Sequence, residues 1–285
     1  MTGKEPSGPA TLVVTRVDVR GAGAGDHTDD VVAAEVPVAM TYNGISHAVM
    51  MASPADLEDF ALGFSITEGI IRRPDELYDL DLLTGAEGIT VEMRISAERF
   101  AELNRQRRNM TGRTGCGLCG TESLEKAIRP IQRLGRVTAI PDDAIQRAVV
   151  TLREHQPMQS QTGATHGAAW CDRDGQIVDA REDVGRHNAL DKLIGARLAA
   201  CAAPAAAFTE GFAIISSRAS FEMVQKSATV GIGCLVAVSA PTALAISEAR
   251  KAGQMLVGFA RPGRHVIYTT GTESVQTHLE QETTV

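Results

Sequence analysis

The segment Thr114-Gly115-Cys116-Gly117-Leu118-Cys119-Gly120 sets two thiols three positions apart among three glycines. Without a Cβ, Gly115, Gly117 and Gly120 let the backbone take conformations closed to other residues and let a partner approach the sulfurs closely. Arg105, Arg107, Arg108 and Arg113 precede the pair, and Thr121 is placed to cap a short helix over 122–128, ahead of Pro130. Cations and a helix amino end both favour thiolate, drawing a cysteine down from its free value of about 8.5 and making it a nucleophile or a sulfur carrier. Three other readings fit the same residues: half of a structural zinc site, a dithiol redox centre, or an incidental pair of small apolar side chains. A zinc site needs two more soft ligands, whereas Cys171, Cys201 and Cys234 stand singly and no second CxxC occurs. A thioredoxin-like dithiol follows a strand and opens a helix, whereas this one follows a polar, arginine-rich stretch.

The elements that must hold a partner for these thiols are clearest after residue 211. Apolar strands over 212–216, 234–239 and 255–260 alternate with helices over 220–229 and 242–252, and a last strand over 265–270 follows the turn Pro262-Gly263. Such alternation predicts a parallel sheet, whose ligands bind beyond the carboxyl ends of its strands, where helix amino ends also point. Three loops meet that condition: Ser217-Arg218-Ala219-Ser220, Ala240-Pro241-Thr242, and Phe259-Ala260-Arg261-Pro262-Gly263-Arg264. Backbone N–H groups beside arginine forks suit phosphate or pyrophosphate, so the expected ligand is anionic and nucleotide-like. On the other reading, Ser220 and Thr242 only cap helices and the arginines are only solvated.

A second polar cluster, Arg181-Glu182-Asp183-Val184-Gly185-Arg186-His187-Asn188, runs into a helix whose buried stripe is Ala189, Leu190, Leu193, Ile194, Leu198 and Cys201. Asn188, Asp191 and Lys192 share its other face. This reads as a site around Gly185, or as a surface pair of His187 with Asp191 at i, i+4. His166, among Gly163, Thr165 and Gly167, either orients a ligand and exchanges protons or bonds only its own turn.

With 285 residues, 44% of them hydrophobic and 22% charged, the chain is long enough for one large or two modest soluble domains, and two are expected. No apolar run approaches the roughly 20 residues that span a bilayer, and residues 1–10 lack the basic start and apolar stretch of a secretory signal. A cytoplasmic chain with reduced thiols and no membrane association is expected. A net charge of −7 without a long basic run argues against nucleic acid and makes any anion site local. Residues 1–30 read as a mostly disordered leader around one strand over 12–19. A hairpin over 35–41 and 45–51, turning at Asn43-Gly44, precedes a helix that Ser53 caps and Pro54 opens, with Leu57, Phe60, Ala61 and Phe64 at helical spacing. Strands over 78–83 and 89–95 and a helix over 97–107 complete an α+β domain over 31–112. A second domain over 113–275 starts with the cysteine loop, followed by a strand over 136–140, a helix over 142–154 and a turn-rich stretch over 162–170; residues 276–285 fray. The fold class is α/β within an α+β whole. The H-x-E and P-C-x-x-C signature of nucleobase deaminases is absent.

The cysteine loop, the turn over 162–166, the block Glu182-Asp183-Val184-Gly185-Arg186-His187-Asn188-Ala189-Leu190-Asp191-Lys192, the segment Ser217-Arg218-Ala219-Ser220-Phe221-Glu222-Met223, and Gly258-Phe259-Ala260-Arg261 occur in one order. Together they resemble the formate dehydrogenase accessory sulfurtransferase family, FdhD, over about 35–270, departing from its pattern at Ala164 and Ser217, where the family has glycine. The resemblance implies a sulfurtransferase that accepts persulfide sulfur from a cysteine desulfurase. It passes that sulfur to the molybdenum (or tungsten) bis(molybdopterin guanine dinucleotide) cofactor before the cofactor enters the catalytic subunit of formate dehydrogenase. Carried onto this chain, Cys116 holds the persulfide, Cys119 assists or relays, and residues 259–264 bind the cofactor. Arg218, Ser220, Thr242, His166 and His187, read from the loops themselves, complete the expected cofactor-binding set, with guanosine diphosphate as a mimic and no structural metal. The resemblance also implies a cytidine-deaminase-like three-layer second domain and a homodimer. Two rival functions stand beside it: a CxxC thiol-disulfide oxidoreductase and a non-catalytic cofactor chaperone.

Overall fold

A computed structural model describes residues 9–18, 25–111, 131, 133–135 and 137–271. It is a mixed α+β protein. Strands β1 (Thr11–Asp18) and β2 (Asp26–Ala33) form an antiparallel ribbon that touches the short helix α4 (Pro157–Thr162). β1 falls where a strand is expected, whereas β2 replaces part of the expected disordered leader. Its run Asp29-Asp30 carries little strand propensity, and pairing offsets this: Arg16 meets Asp30 at 2.8 Å across the ribbon.

A four-stranded sheet in the order β4-β3-β6-β5 follows, built from β3 (Val36–Tyr42), β4 (Ile45–Ala52), β5 (Leu77–Gly85) and β6 (Gly88–Ile95). Period-two alternation turns Val38, Met40 and Tyr42 inward, and Asn43 (φ 48) and Gly44 (φ 79) supply the two left-handed residues of a tight primed hairpin turn. Helix α1 (Leu57–Thr67) packs Phe60, Ala61 and Phe64 into the core, and α2 (Ala97–Thr111) follows β6. The expected Ser53 cap is not made. α1 starts three residues later, from Asp56 in the left-handed region, because Ser53 is drawn to Asp183: its N–H donates to Asp183 Oδ2 at 3.0 Å and its Oγ accepts from Val184 N at 3.2 Å.

The larger sheet has the order β12-β11-β10-β9-β7-β8, from β7 (His166–Asp172), β8 (Ile177–Asp183), β9 (Gly211–Ile215), β10 (Cys234–Ala237), β11 (Met255–Arg261) and β12 (Arg264–Thr270). β9, β10 and β11 pair in parallel, while β12, β7 and β8 each pair antiparallel with their neighbours, so the sheet is mixed where a parallel one is expected. Helix α3 (Asp142–Thr151) covers one face through Ala144, Ile145 and Ala148. The other face lies under α5 (Arg186–Ala200), α6 (Phe221–Thr229) and α7 (Ala243–Ala252). Residues 137–140, expected in a strand, are irregular; Val137 and Ile140 instead fill the core beneath α3, where apolar packing outweighs strand propensity. The boundary expected at residue 112, the helix over 122–128 and the tail from 276 lie outside the described residues.

One apolar core runs from the small sheet through α1 and α5 to the large one. At the helix crossing, Gly63 and Gly195 face each other's backbones. A Cβ on Gly63 would stand 1.8 Å from Asp191 O, and one on Gly195 would stand 1.8 Å from Asp59 O. The two sheets are therefore held in register by a contact that admits no side chain at either position.

Candidate functional site

Cys116 and Cys119 lie outside the described residues, so the site is built from what surrounds their segment's expected partner. Among the described cysteines, Cys171 and Cys234 are buried, and burial pushes both thiols well above the usual cysteine value, so they stay protonated and unreactive.

The block from Glu182 to Lys192 is mostly scaffold. Asp183 and Lys192 have fully buried side chains with Nζ 2.6 Å from Oδ2. Lys192 also donates to Ser53 O at 3.0 Å, and Asp183 Oδ1 accepts from Gly185 N at 2.7 Å and Asn188 Nδ2 at 3.0 Å. Asp191 does not pair with His187 as the i, i+4 spacing allows. It is buried against Lys226, 2.8 Å away, and accepts from Thr67 Oγ1 at 2.8 Å. These bonds tie α5 to β4, α1 and α6, and desolvation makes partner choice strict: a buried charge needs an opposite charge and further donors. Glu182, also buried, accepts from Met158 N and Gln159 N at 2.8 Å each and from Thr165 Oγ1 at 3.0 Å, holding the amino end of α4 against β8.

The remaining polar candidates gather along one edge of the large sheet, at the carboxyl ends of β9, β10 and β11 and the start of the antiparallel β7. His166, Ala260, Arg261 and Pro262 share a cleft of about 570 Å³ with Arg153, Gln156, Gln159, Thr165, Ser216 and Val238. Gly167 N donates to Ser216 Oγ at 2.9 Å, which binds the start of β7 to the end of β9 beneath it. Phe259, Arg218, Ser220, Thr242, Gly263, Arg264 and His187 stand on the same edge but do not line the cleft. Phe259 has φ 50 and is 37% exposed. Gly263 (φ 79) forms the β11–β12 turn, where its N–H donates to Gln146 Oε1 of α3 at 2.7 Å. Thr242 caps α7, its Oγ1 accepting from Ala245 N at 3.2 Å, whereas Ser220 heads α6 with Oγ buried and without a partner among the described residues. His187 Nε2 lies 2.8 Å from Glu222 Oε2, joining the first turns of α5 and α6.

Arginines without a carboxylate gather at this edge, although Arg105 and Arg133 also have none among the described residues. Arg16, Arg72, Arg73, Arg94, Arg99, Arg147, Arg173, Arg181 and Arg197 each meet a carboxylate. Arg153, Arg186, Arg218, Arg261 and Arg264 have none among the described residues, although the chain carries a net charge of −7. The amino ends of α5, α6 and α7 point to the same edge and add their partial positive charge. Burial lowers the pKa of His166, and Arg186 lowers it further against Asp183; burial likewise lowers that of His187 against the pull of Glu222. Burial thus favours the neutral imidazole at both, the form that can accept a hydrogen bond. An edge of unneutralised guanidinium groups, helix amino ends and neutral imidazoles can hold an oxyanion while offering a proton acceptor beside it.

Arg153, Gln156, Gln159 and Arg186 were not singled out from sequence as ligand contacts. The glutamines sit on or before a six-residue helix whose local signals are Pro157 at its first position and Gly163 (φ 68) just past its end.

Residues 33–275 match the FdhD/NarQ family. The chain is 53% identical over 239 residues to the sulfur carrier protein FdhD of Cupriavidus necator, covering 84% of this chain and 82% of that one. It is 50% identical over 271 residues to the sulfur carrier protein FdhD of Xanthomonas campestris pv. campestris, covering 94% and 95%. The fold is similar to a crystal structure from Desulfotalea psychrophila described as a formate dehydrogenase accessory protein, with a TM-score of 0.71, 24% identity, and 92% and 98% of the two chains covered. On this evidence the chain belongs to the FdhD/NarQ family.

Proposed function

We propose that this protein is a sulfur carrier that loads Cys116 as a persulfide from a cysteine desulfurase and delivers the sulfur to a molybdenum or tungsten bis(molybdopterin guanine dinucleotide) substrate destined for formate dehydrogenase. The observation that carries the reading is the identity of 50–53%, over most of the chain, to proteins named as sulfur carriers. The arginine-lined edge supports the identity of the acceptor: a guanosine diphosphate end is a planar base on a doubly charged tail, and the cleft pairs apolar walls with Arg153 and Arg261. In the loading step the Cys116 thiolate attacks the outer sulfur of the donor persulfide and the donor thiolate leaves. One S–S bond forms as another breaks, and no external oxidant or reductant is consumed. Cys119 assists or relays the sulfur.

The test is to incubate the chain with a cysteine desulfurase and cysteine and to weigh the peptide bearing Cys116. One added sulfur is expected, and Cys116→Ala should show none. A thiol-disulfide oxidoreductase would instead reduce a model disulfide through both cysteines, and a non-catalytic chaperone would tolerate Cys116→Ala. At the other end of the reaction, Arg261→Ala should bind guanosine diphosphate about tenfold more weakly in calorimetric titration, the loss of one charge-assisted contact. Equal affinity would remove this edge from the substrate site.

A further inference from the structure

We propose that Gln159 is a specificity-determining residue of the cleft: its side-chain amide donates to the carbonyl oxygen of an oxopurine and so selects guanosine over adenosine diphosphate. The inference rests on the nucleotide reading above and adds to it the side chain that reads the base.

The geometry that fixes this amide begins at Glu182. Its carboxylate accepts the N–H groups of Met158 and Gln159 at 2.8 Å each and the Thr165 hydroxyl at 3.0 Å, so the first turn of α4 and the strand leading into β7 are clamped to one buried group. Thr165 N then donates to Gln159 Oε1 at 2.8 Å. A backbone N–H can only donate, so the orientation of the carboxamide is determined: the oxygen faces Thr165 and Nε2 is left over. That nitrogen makes no hydrogen bond with any described residue, and half-buried Gln159 lines the cleft. Beside it, the buried Gln156 also lines the cleft. The donor that Gln159 leaves over gives this wall a demand for an acceptor.

An oxopurine meets that demand with the 6-carbonyl and the adjacent ring nitrogen on one edge, whereas adenine places an amino donor where the carbonyl stood. A donor facing a donor inside a desolvated cleft leaves both unpaired, which costs more than the matched bond contributes. The ring faces have apolar walls in Leu152, Val238 and Ala260, and Arg153 and Arg261 line the same space for the diphosphate.

Calorimetric titration of the full chain with guanosine, inosine and adenosine diphosphates tests this. The unmodified protein should bind the guanosine and inosine forms, which share the 6-carbonyl, about tenfold or more tighter than the adenosine form. Gln159→Glu keeps an acceptor for Thr165 N but replaces the donor with an acceptor. Its charge repels every diphosphate alike, so the ratio of affinities reports the base alone, and the guanosine preference should vanish or invert. Gln159→Ala should bring the ratio toward one. The assignment is overturned if either variant keeps the original ratio, or if the unmodified chain takes adenosine as well as guanosine diphosphate. When guanosine diphosphate binds, Arg261→Ala weakens it and the ratio still ignores residue 159, only the role of Gln159 fails. When the unmodified chain binds no nucleotide, the nucleotide reading of the cleft fails as well.

Discussion

Gly195→Ala should cost about 3 kcal/mol or more and lower the melting temperature by on the order of 10 °C. The methyl group would have to occupy a point 1.8 Å from Asp59 O and 2.9 Å from Gly63 N, both backbone atoms of α1. No rotamer change can clear a backbone carbonyl, so the helices must separate. Separation also pulls apart the bonds across the seam, because Thr67 on α1 donates to Asp191 and Arg181 on β8 meets Asp59 at 2.8 Å. Gly63→Ala should behave alike, since its methyl would stand 1.8 Å from Asp191 O. Gly135→Ala is the control: a Cβ there meets no described residue within 4 Å, and its melting temperature should stay within about 1 °C of the parent. Thermal unfolding followed by circular dichroism reads all three. A Gly195→Ala chain that melts with the parent would mean that α1 and α5 do not cross this closely.

The second large effect is expected for Lys192→Met, at about 3–5 kcal/mol. Methionine fills the volume but strands the buried Asp183 carboxylate, which loses the ammonium 2.6 Å away, and leaves Ser53 O without its donor. The remaining donors to Asp183, from Ser53 N, Gly185 N and Asn188 Nδ2, soften the loss without replacing a charge. Pairing the change with Asp183→Asn removes the stranded charge and should recover part of the stability. Urea unfolding of both variants measures this. A double variant no better than Lys192→Met would show that the deficit arises from packing and not from the ion pair.

These two seams show why part of the molecule could be read along the chain and part could not. The hairpin at Asn43-Gly44, the core face of α1 and the alternation of β9, α6, β10, α7 and β11 follow from spacing and turn chemistry within about a dozen residues. The cleft is half legible for the same reason: Arg261 and His166 stand on loops that the alternation places at strand ends. Gln159 could not be found that way, because what makes it a candidate is Glu182 in a later strand. The block Glu182–Lys192 stood out as rich in polar types around a glycine, but its residues divide by partner, and the partners are distant: Ser53 is 130 positions from Asp183, and Thr67 is 159 from Lys226. A charged residue on an amphipathic helix reads as solvated unless the surface that buries it is known. Asp191 and Lys192 thus look like the outer face of α5 when they are its most buried polar positions.

By itself the chain of residues determined most of the elements and set an arginine-bearing α/β edge at the ends of alternating strands, since periodicity, turn preference and charge are properties of neighbours. Tertiary structure alone decided which charges are scaffold and which are left unneutralised at that edge. Burial, and the penalty for desolvating an unpaired charge, are set by surfaces that fold together from remote parts of the chain.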